Sequence, residues 1–342
     1  MREDRPARRG SGGCREVLFI VDPLDELKPW KDSSIAMMRE FTRRGYRLWS
    51  CIPHDLHWHA GTVGARVREL RLSSKPAQGH VLGTWYETPA DAGPGEMHDL
   101  RDFDAVLMRK DPPFDSEYLY TTHLLSAAAR AGALVFNDPA ALRRHNEKLA
   151  VTEFAQFMAP SLVTSRSQEI LLFQSHHGEI VVKPLDGMGG TGIFRLKPGD
   201  PNTNVILETA TQDGARTVMA QKFVPAIAQG DKRVLVIGGK AVPFCLARIP
   251  KEGEFRGNLA AGGTGRAQEL SARDREIAQT LGPVLFDRGL LVVGLDIIGD
   301  CLTEINVTSP TCFVEIQEQS GFDVAAAFAD ALEAQLELQT GE

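Results

Sequence analysis

The sequence predicts an α/β protein of more than one domain, and three observations support this prediction. A strand–helix–strand pattern runs from Glu16 to Ile52, which is typical of a parallel sheet. A glycine-rich loop, Asp186 to Gly192, lies between two strand-like segments. An apolar hairpin, Val292 to Asn306, carries Asp296 and Glu304 within its strands. At 342 residues the chain is long enough for two or three domains with substantial cores.

Composition and charge exclude several classes of protein. Hydrophobic residues make up 43% and charged residues 24%, as in an ordinary soluble globular protein. The net charge of −7 argues against nonspecific nucleic-acid binding and against a basic membrane-surface protein. No apolar run approaches the roughly 20 residues of a membrane span. Residues 1–15 are polar and lack the apolar core of a signal peptide, so we expect a flexible tail.

The five cysteines point to a reducing compartment. They are odd in number, scattered, and contain no C-x-x-C pair, which argues against a disulfide framework. We therefore expect the protein to be cytoplasmic.

The N-terminal pattern begins with a buried strand from Glu16 that ends at Asp22. Asp32 is expected to cap a helix that ends at Gly45, and a second strand follows up to Ile52. In parallel sheets ligands gather at the carboxyl ends of the strands. This rule places Asp22 and the segment Lys31 to Ser33 near a site.

A further strand, Phe103 to Met108, ends in a charged triplet that begins with Arg109. Ligand contact and a solvated strand end both explain such a triplet. A helix from Tyr118 to Ala131 and a short strand, Leu134 to Asn137, follow. The first domain is expected to close near Arg144.

Three histidines, His54, His57 and His59, suggest a metal site at first sight. No cysteine lies nearby, and their spacing matches no zinc pattern. We therefore expect a loop or strand edge here without a functional metal. The segment from Leu72 to Asp99 gives no clear secondary-structure prediction.

The glycine loop follows a strand that ends in Lys183. Glycines let the backbone approach a ligand and aim N–H groups at phosphate oxygens. The loop spells G-x-G-x-x-G, but a dinucleotide site needs a helix after it, and Ile193 to Leu196 alternates as a strand does. No Gly-Lys-Ser/Thr closes it as a Walker A loop. A flap over ATP phosphates fits best, and a plain glycine-rich hairpin is the alternative.

The segments around this loop complete the outline. His145 to Leu149 is expected to open a helix, in which Lys148 by itself would be a surface lysine. A hairpin from Asp231 to Ile249 carries arginines, and a long glycine-rich connection, residues 250–266, then leads to a helix from Ser271 to Arg288. Connections of that length are often lids, and a lid would exclude water from a reactive intermediate.

The last hairpin predicts a cation site. Glu304 and Asn306 are two residues apart and share a face of their strand. Asp296 joins that face if a three-residue turn, Gly299 to Cys301, connects the strands, whereas a two-residue turn would put Asp296 on the opposite face. Oxygen ligands alone favour Mg²⁺ or Mn²⁺ over zinc.

The alternative to a metal is charge compensation by arginine. Buried carboxylates are costly unless they are paired or metal-bound. Arg233 and Arg248, on the preceding hairpin, could satisfy them instead.

Five motifs together resemble prokaryotic glutathione synthetases of the ATP-grasp superfamily, and the similarity covers roughly residues 16 to 335. They are Asn146–Lys148, Lys183–Gly190, Met108–Asp115, Arg256–Gly263, and Leu295–Ile298 with Glu304–Thr311.

The resemblance implies a three-domain ATP-grasp architecture, α/β overall and α+β in the ATP-grasp part. It comprises a Rossmann-like domain at 16–145, a central lid domain at 146–223, and a C-terminal domain at 224–335 that holds the metal site and the lid loop 250–266. A short tail, 336–342, follows. ATP would bind between the last two domains, and the assembly would be a homo-oligomer, a tetramer.

The resemblance also implies roles for individual residues. The nucleotide would contact Lys148, Lys183, Asp186, Gly187, Met188, Gly189, Gly190, Thr191, Gly192, Gln221, Lys222, Phe223, Val224 and Asp231. The metal ligands would be Asp296, Glu304 and Asn306. The substrate would contact Asp22, Lys31, Ser33, Arg109, Arg233, Arg248, Arg256, Ser309, Pro310 and Thr311, with Arg233 and Arg256 as the catalytic residues.

The implied reaction ligates γ-glutamylcysteine with glycine and splits ATP to ADP and phosphate, through an acyl phosphate. No nucleic acid or membrane partner is expected. The alternatives are another ATP-grasp carboxylate–amine ligase, of the D-alanine–D-alanine or glutamate-adding type, and a nonenzymatic nucleotide-binding regulator.

Overall fold

The computed structural model describes residues 14–73, 85–87, 95–187, 189–257 and 262–340. Most of the predicted N-terminal tail, Met188 of the glycine loop, residues 258–261 of the predicted lid and the last two residues lie outside these ranges. The described chain forms three β-sheets with helices packed against them. None of the described helices is long and apolar enough to cross a membrane.

The N-terminal region forms an eight-stranded mixed sheet. Its strands are β1 (Glu16–Ile20), β2 (Arg47–Cys51), β3 (Leu56–His59), β4 (Thr62–Leu72), β5 (Tyr86–Glu87), β6 (Glu96–Asp99), β7 (Ala105–Met108) and β8 (Val135–Phe136). The order is β3-β4-β2-β1-β7-β8, and β5 and β6 pair with β4. The strands β2, β1, β7 and β8 run parallel, as predicted, whereas the long strand β4 was not predicted and joins β2 antiparallel.

Two helices of this region, α1 (Ser33–Arg43) and α2 (Ser116–Ala131), follow the predicted signals, whereas α3 (Pro139–Arg144) was not predicted. The side chain of Asp32 caps α1, because it accepts hydrogen bonds from the N–H groups of Ser34, at 2.7 Å, and Ile35, at 3.1 Å. Gly132 ends α2 in the left-handed region.

The second sheet is antiparallel and carries the glycine loop. Its strands are β9 (Ser161–Thr164), β10 (Ile180–Pro184), β11 (Phe194–Leu196) and β12 (Val218–Lys222), in the order β11-β10-β12-β9. The helices α4 (Ser167–His177) and α5 (Thr203–Thr211) belong to the same region. Because β10 pairs with β11, the predicted strand–loop–strand arrangement is confirmed.

The third sheet is also antiparallel. Its strands are β13 (Asp231–Ile237), β14 (Lys240–Ile249), β15 (Thr264–Glu269), β16 (Val292–Ile298) and β17 (Cys301–Asn306), in the order β15-β14-β13-β16-β17. The helices α6 (Ala272–Asp287), α7 (Phe313–Ser320) and α8 (Val324–Thr340) complete the chain. Apolar side chains of β13 and β14 and of helices α7 and α8 belong to one core cluster with those of β1 and α1, so the N-terminal and C-terminal regions pack on each other.

Two local predictions need correction. The segment from Asn146 to Leu149 is a turn and not the first turn of an α-helix; the side chain of Asn146 caps it by accepting the N–H groups of Lys148 and Leu149. A 3₁₀ helix, Ala150–Phe157, follows it. The connection predicted at 250–266 ends at residue 263, because Thr264 already pairs with Ile249 in the sheet.

The hairpin of β16 and β17 confirms the predicted pairing of Asp296 with Glu304, although its turn differs from the predicted one. Ile298 pairs with Cys301, so the turn has two residues and not three. A β-bulge between Asp296 and Ile297, with Thr303 as the extra residue of β17, returns Asp296 to the same face as Glu304. The Thr303 hydroxyl donates to the carbonyl of Asp296, at 3.0 Å, and fixes the bulge.

Candidate active site

A cavity of about 610 Å³ is lined by residues of the second and third sheets and by segments that follow strands of the first sheet, and its size suits a nucleotide with a small substrate. Most of the residues predicted for the site line it. They are Asp22, Lys31, Lys148, Lys183, Gly187, Gly189, Gly190, Thr191, Gln221, Lys222, Phe223, Val224, Asp231, Arg233, Arg248, Arg256, Asp296, Glu304, Asn306, Ser309, Pro310 and Thr311.

Four predicted residues lie outside this lining. Asp186 pairs with Arg216 at 2.5 Å, and its side chain is 65% exposed. Ser33 is buried, and its hydroxyl accepts the N–H of Phe313. Arg109 is buried behind the cavity wall, and Gly192 lies between two lining residues, Thr191 and Ile193. Met188 falls outside the described residues.

Two buried lysines, Lys148 and Lys183, form what we call the lysine pair. They are 2% and 5% exposed, and their Nζ atoms lie 3.6 and 3.7 Å from Oε1 of Glu304. Among the described residues, Lys183 donates one long hydrogen bond, of 3.3 Å, to the carbonyl of Thr303. Lys148 donates to the carbonyl of Gly187, at 2.9 Å, and to the carboxylate of Glu147. Lys148 is therefore well paired, whereas Lys183 lacks a close acceptor.

Burial sets the pKa values around the lysine pair. It lowers the pKa of Lys183, because desolvation outweighs the attraction of Glu304. The pKa of Lys148 is raised, because Glu304 and Glu147 together outweigh its burial. Burial and the nearby charge of Glu304 raise the pKa of Glu147 to about 7. An anion bound beside Lys183 would favour its charged form.

The glycine loop joins β10 to β11 above Lys183. Gly189, Gly190 and Gly192 adopt positive φ angles of 64°, 83° and 71°, which other residues rarely adopt. Arg256, in the connection after β14, donates a 3.4 Å hydrogen bond to the carbonyl of Gly190. The predicted lid segment therefore contacts the glycine loop.

The strand β12 and the linker after it supply the other predicted nucleotide contacts. The N–H groups of Lys222 and Phe223 donate to the carbonyls of Pro160 and Glu179, both at 2.9 Å. These two donors are therefore occupied within the protein. A nucleotide base bound to this linker would have to hydrogen-bond to the linker's carbonyl groups or to the N–H of Val224.

Asp231, Arg233, Arg248 and Asp296 form an ion-paired group, here called the arginine cluster. Arg233 donates to both oxygens of Asp296, at 2.5 and 3.0 Å. Arg248 lies 2.8 Å from Asp296 and donates to Asp231 at 2.5 Å. All four residues are buried, and their neighbouring strands bring them together in register, Arg233 opposite Asp296 and Asp231 opposite Arg248.

The electrostatics of this cluster are asymmetric. Burial opposes the charge of Asp296, but Arg233 and Arg248 outweigh it and hold the pKa of that carboxyl below its usual range. The arginines stabilise the charged form of Asp231 less strongly, and burial raises the pKa of that carboxyl to about 7. Gly294 makes room for the cluster, because a Cβ there would lie 2.8 Å from Cδ of Arg233.

The residues present fit a divalent cation. Asp296 is held ionised, and an ionised carboxylate has about four acceptor positions, of which the arginines take three. Glu304 and Asn306 line the same cavity and add hard oxygen atoms. The set contains only two carboxylates, and no group of three or more His, Cys, Asp or Glu that could hold a metal occurs in the described part of the chain.

Side chains of the N-terminal region form hydrogen bonds with the loop that follows β17. The buried guanidinium of Arg109 donates to the carbonyl of Pro310, at 2.9 Å, and to the hydroxyl of Ser34, at 3.2 Å. The hydroxyl of Ser309 donates to the carboxylate of Asp111, whose N–H donates to Asp22. Arg109 thus holds a cavity-lining loop and does not line the cavity itself.

Several residues that line the cavity were not among the predicted site residues, and Glu147 and Glu315 are two charged examples. Glu147 stands beside Lys148 in a motif that the sequence does show, so its place in the motif was a usable signal. Glu315 lies in the first turn of α7, where a charged residue looks like an ordinary solvated position. Its burial depends on tertiary packing that no periodicity reveals.

The fold and the site define the class of protein. Solved structures of ATP-grasp ligases match nearly the whole chain. The D-cycloserine synthetase DcsG has a TM-score of 0.61 at 15% identity, covering 94% of this chain and 99% of that one. The ATP-grasp ligase PsnB, complexed with a phosphomimetic precursor, Mg and ADP, has a TM-score of 0.57 at 19% identity, covering 94% and 99%. The chain has the ATP-grasp fold that these ligases share.

Sequence comparisons then give the family. The model of the prokaryotic glutathione synthetase N-terminal domain matches residues 16–143, and that of the prokaryotic glutathione synthetase ATP-grasp domain matches residues 147–321. A glutathione synthetase of Nitrosomonas europaea is 56% identical over 318 residues, which cover 93% of this chain and 97% of the relative. One of Neisseria meningitidis serogroup B is 53% identical, with 93% and 98% covered. The chain belongs to the prokaryotic glutathione synthetase family.

Proposed function

We propose that this chain ligates γ-glutamylcysteine with glycine and splits ATP to ADP and phosphate. One observation supports the proposal above the others. The lysine pair, in which Lys183 lacks a close acceptor, shares a single cavity with the arginine cluster, whose cations are held in fixed positions by ion pairs. A reaction that brings a triphosphate and a carboxylate together needs positive charge in two places.

The first step is transfer of the γ-phosphoryl group to the cysteinyl carboxylate. That carboxylate is a poor electrophile until one oxygen carries phosphate, and the resulting acyl phosphate is activated. Lys148 and Lys183 would bind the phosphates beneath the glycine loop. Arg233 and Arg256 would bind the carboxylate and the transferring group. Catalysis then consists mainly of positioning and charge stabilisation.

Asp296, Glu304 and Asn306 would hold the divalent cation. When bound, Mg²⁺ or Mn²⁺ would neutralise charge on the nucleotide phosphates. The arginines on Asp296 would orient that carboxylate, since a ligating carboxylate is itself commonly hydrogen-bonded by its surroundings.

In the second step the glycine amine attacks the acyl carbon and phosphate leaves. Water competes with glycine for the acyl phosphate, so closure of the site matters. The contact of Arg256 with Gly190 supports a lid role for residues 250–263, since it ties this segment to the glycine loop.

A cysteine nucleophile is not part of this route. Cys312 lines the cavity, but burial raises the pKa of its thiol and keeps it protonated. The thiolate, and not the thiol, is the nucleophilic form.

We also propose a cytoplasmic homotetramer. The five cysteines are all free thiols, which supports a reducing compartment. The tetramer rests on the family alone, and light scattering of the purified protein tests it.

Phosphate release with Mg-ATP and γ-glutamylcysteine tests the proposed reaction. We expect release that depends on glycine, together with formation of the tripeptide. Replacing γ-glutamylcysteine with D-alanine provides the control for another ATP-grasp ligase. Turnover with D-alanine and none with γ-glutamylcysteine would overturn the proposal.

A further inference from the structure

The second sheet carries a charged residue, Arg195, to which the proposed phosphoryl transfer gives no role. It lies on β11, the edge strand of that sheet. Val181 on β10, Gln221 on β12 and Phe223 after β12 line the neighbouring part of the cavity. This is the part of the cavity wall in which the predicted linker to the nucleotide base lies.

The register of the sheet places Arg195 on the face that borders the cavity. Arg195 pairs with Val181, which pairs on its other side with Gln221. Directly paired residues project from the same face of a sheet, and so do residues two apart on a strand. Because Val181 and Gln221 line the cavity, Arg195 shares their face, and Phe223 follows on that face two residues after Gln221.

The guanidinium of Arg195 covers one side of the Phe223 ring. Its Cζ atom lies 3.8 Å from the centre of the ring, which is a stacking distance. A planar cation is attracted to the face of an aromatic ring by the ring's quadrupole. One side of Phe223 is therefore occupied within the protein, while the ring still contributes to the cavity wall.

Glu179 fixes both partners of this stack. Arg195 donates two hydrogen bonds to its carboxylate, at 2.7 and 3.0 Å, and these hold the pKa of Glu179 below its usual range. The backbone carbonyl of Glu179 accepts the N–H of Phe223, at 2.9 Å. One residue thus binds the side chain of Arg195 and the backbone of Phe223, so the ring is held in place before a ligand binds.

The wall beside Phe223 suits a flat apolar group. Val181, Ile193, Val224 and Ile298 line the cavity together with this ring. Ligand pockets commonly combine such apolar and aromatic side chains with a few polar groups. A nucleotide base would pack against this wall, and the position of the Phe223 ring would set the space that is left for it.

We propose that Arg195 is a positioning residue for the nucleotide base: it fixes the ring of Phe223, and Glu179 orients it. Arg195 would touch neither the phosphates nor the reacting carboxylate. The inference rests on the proposed function for the binding of ATP in this cavity. Loss of Arg195 should therefore weaken the binding of the base and leave the binding of the phosphates unchanged.

Two ligands separate these effects. Mg-ATP carries the base, whereas magnesium tripolyphosphate carries the phosphates alone. In Arg195→Met we expect the Kd for Mg-ATP, measured by calorimetry, to rise about five- to tenfold, because the cation–π contact is lost. The Kd for magnesium tripolyphosphate, measured by competition with Mg-ATP, should stay within about twofold of the wild-type value.

Further variants make the test specific. Glu179→Gln should weaken Mg-ATP binding in the same direction, and it carries the test if Arg195→Met fails to fold. The double variant should bind Mg-ATP no more weakly than Arg195→Met, because both changes act through one contact. Arg166→Met changes an exposed arginine before α4 and is the matched control, with wild-type Kd values for both ligands.

The outcomes also separate this inference from the proposed reaction. A wild-type Kd for Mg-ATP in both Arg195→Met and Glu179→Gln would overturn the inference. An equal loss of affinity for Mg-ATP and tripolyphosphate would overturn it as well, because the contact would then support the whole site and not the base. If the wild type binds Mg-ATP but does not join γ-glutamylcysteine to glycine, the proposed reaction fails and the binding test still decides the role of Arg195.

Discussion

The lysine pair and the arginine cluster are both buried cations beside carboxylates in one cavity, yet they differ in how their charge is balanced. In the arginine cluster each guanidinium lies within 3.0 Å of a carboxylate oxygen. In the lysine pair Lys183 is 3.7 Å from Glu304 and has one long hydrogen bond to a carbonyl. Arg233 and Arg248 are therefore preorganised by the fold, whereas Lys183 is left short of a partner that a phosphate would supply.

The difference has a physical origin in the strands. Arg233, Arg248, Asp231 and Asp296 lie on adjacent strands of one antiparallel sheet, and their register sets the ion pairs. Lys183 comes from a different sheet from Glu304, so no shared ladder of hydrogen bonds brings the two side chains together. The first arrangement contributes to the fold, and the second leaves positive charge for a ligand.

Replacing Lys183 should give the largest functional effect. We expect Lys183→Met to lower kcat/KM for ATP by about a thousandfold, since it removes a preorganised charge at the transferring phosphate. Steady-state kinetics with saturating γ-glutamylcysteine and glycine would measure this. Lys197→Met, at an exposed lysine after β11, is the matched control and should leave the rate unchanged. A drop of less than about fivefold in Lys183→Met would contradict the account.

Replacing Asp296 should cost the most stability. Asp296→Asn would leave two buried guanidinium groups without a full counter-charge, which costs about 3–5 kcal/mol. Urea unfolding without nucleotide would measure the loss, with Asp300→Asn in the exposed turn of the same hairpin as the control. Equal stability of the two variants would show that the cluster does not support the fold.

The pH dependence of stability should show the smallest effect. The pKa of Glu147 is raised to about 7 in the fold, above its usual value of 4.5, so the folded state holds a proton that the unfolded chain releases. Its contribution to stability is fully present below about pH 4.5 and is lost as the pH rises through 7.

Glu147→Gln removes this contribution, and stability should then fall less between pH 5 and 8 than in the wild type. Unfolding midpoints in urea across that range would measure the difference. Glu117→Gln, at an exposed site in the first turn of α2, is the control. Parallel pH profiles for Glu147→Gln and the wild type would exclude this role.

Most of the cavity residues could be predicted from the sequence, because the strands that carry them are short, apolar and interrupted or ended by charged residues. Lys183, Asp296 and Glu304 each interrupt or end an apolar run, so they were predicted before any contact was known. The pairing of Asp296 with Glu304 was predicted as well, but the bulge at Thr303 was not. A two-residue turn and a three-residue turn differ by one position, which the local sequence does not determine.

Tertiary packing accounts for the remaining differences. Arg109 ends a strand beside the cavity, as predicted, but the loop at Pro310 covers its guanidinium. Glu315 reads as a solvated helix position until the N-terminal region is packed against it. Charged residues of this kind are assigned only when the partner surface is known.

Nucleotide-dependent thermal stability of Lys183→Met tests most directly the claim that the lysine pair is completed by phosphate. Without nucleotide, the variant should unfold at or above the wild-type temperature, because replacing an underpaired buried charge with an apolar side chain is often neutral or stabilising. Saturating Mg-ATP should raise the unfolding temperature of the wild type and leave that of the variant nearly unchanged. An equal rise in both proteins would contradict the account.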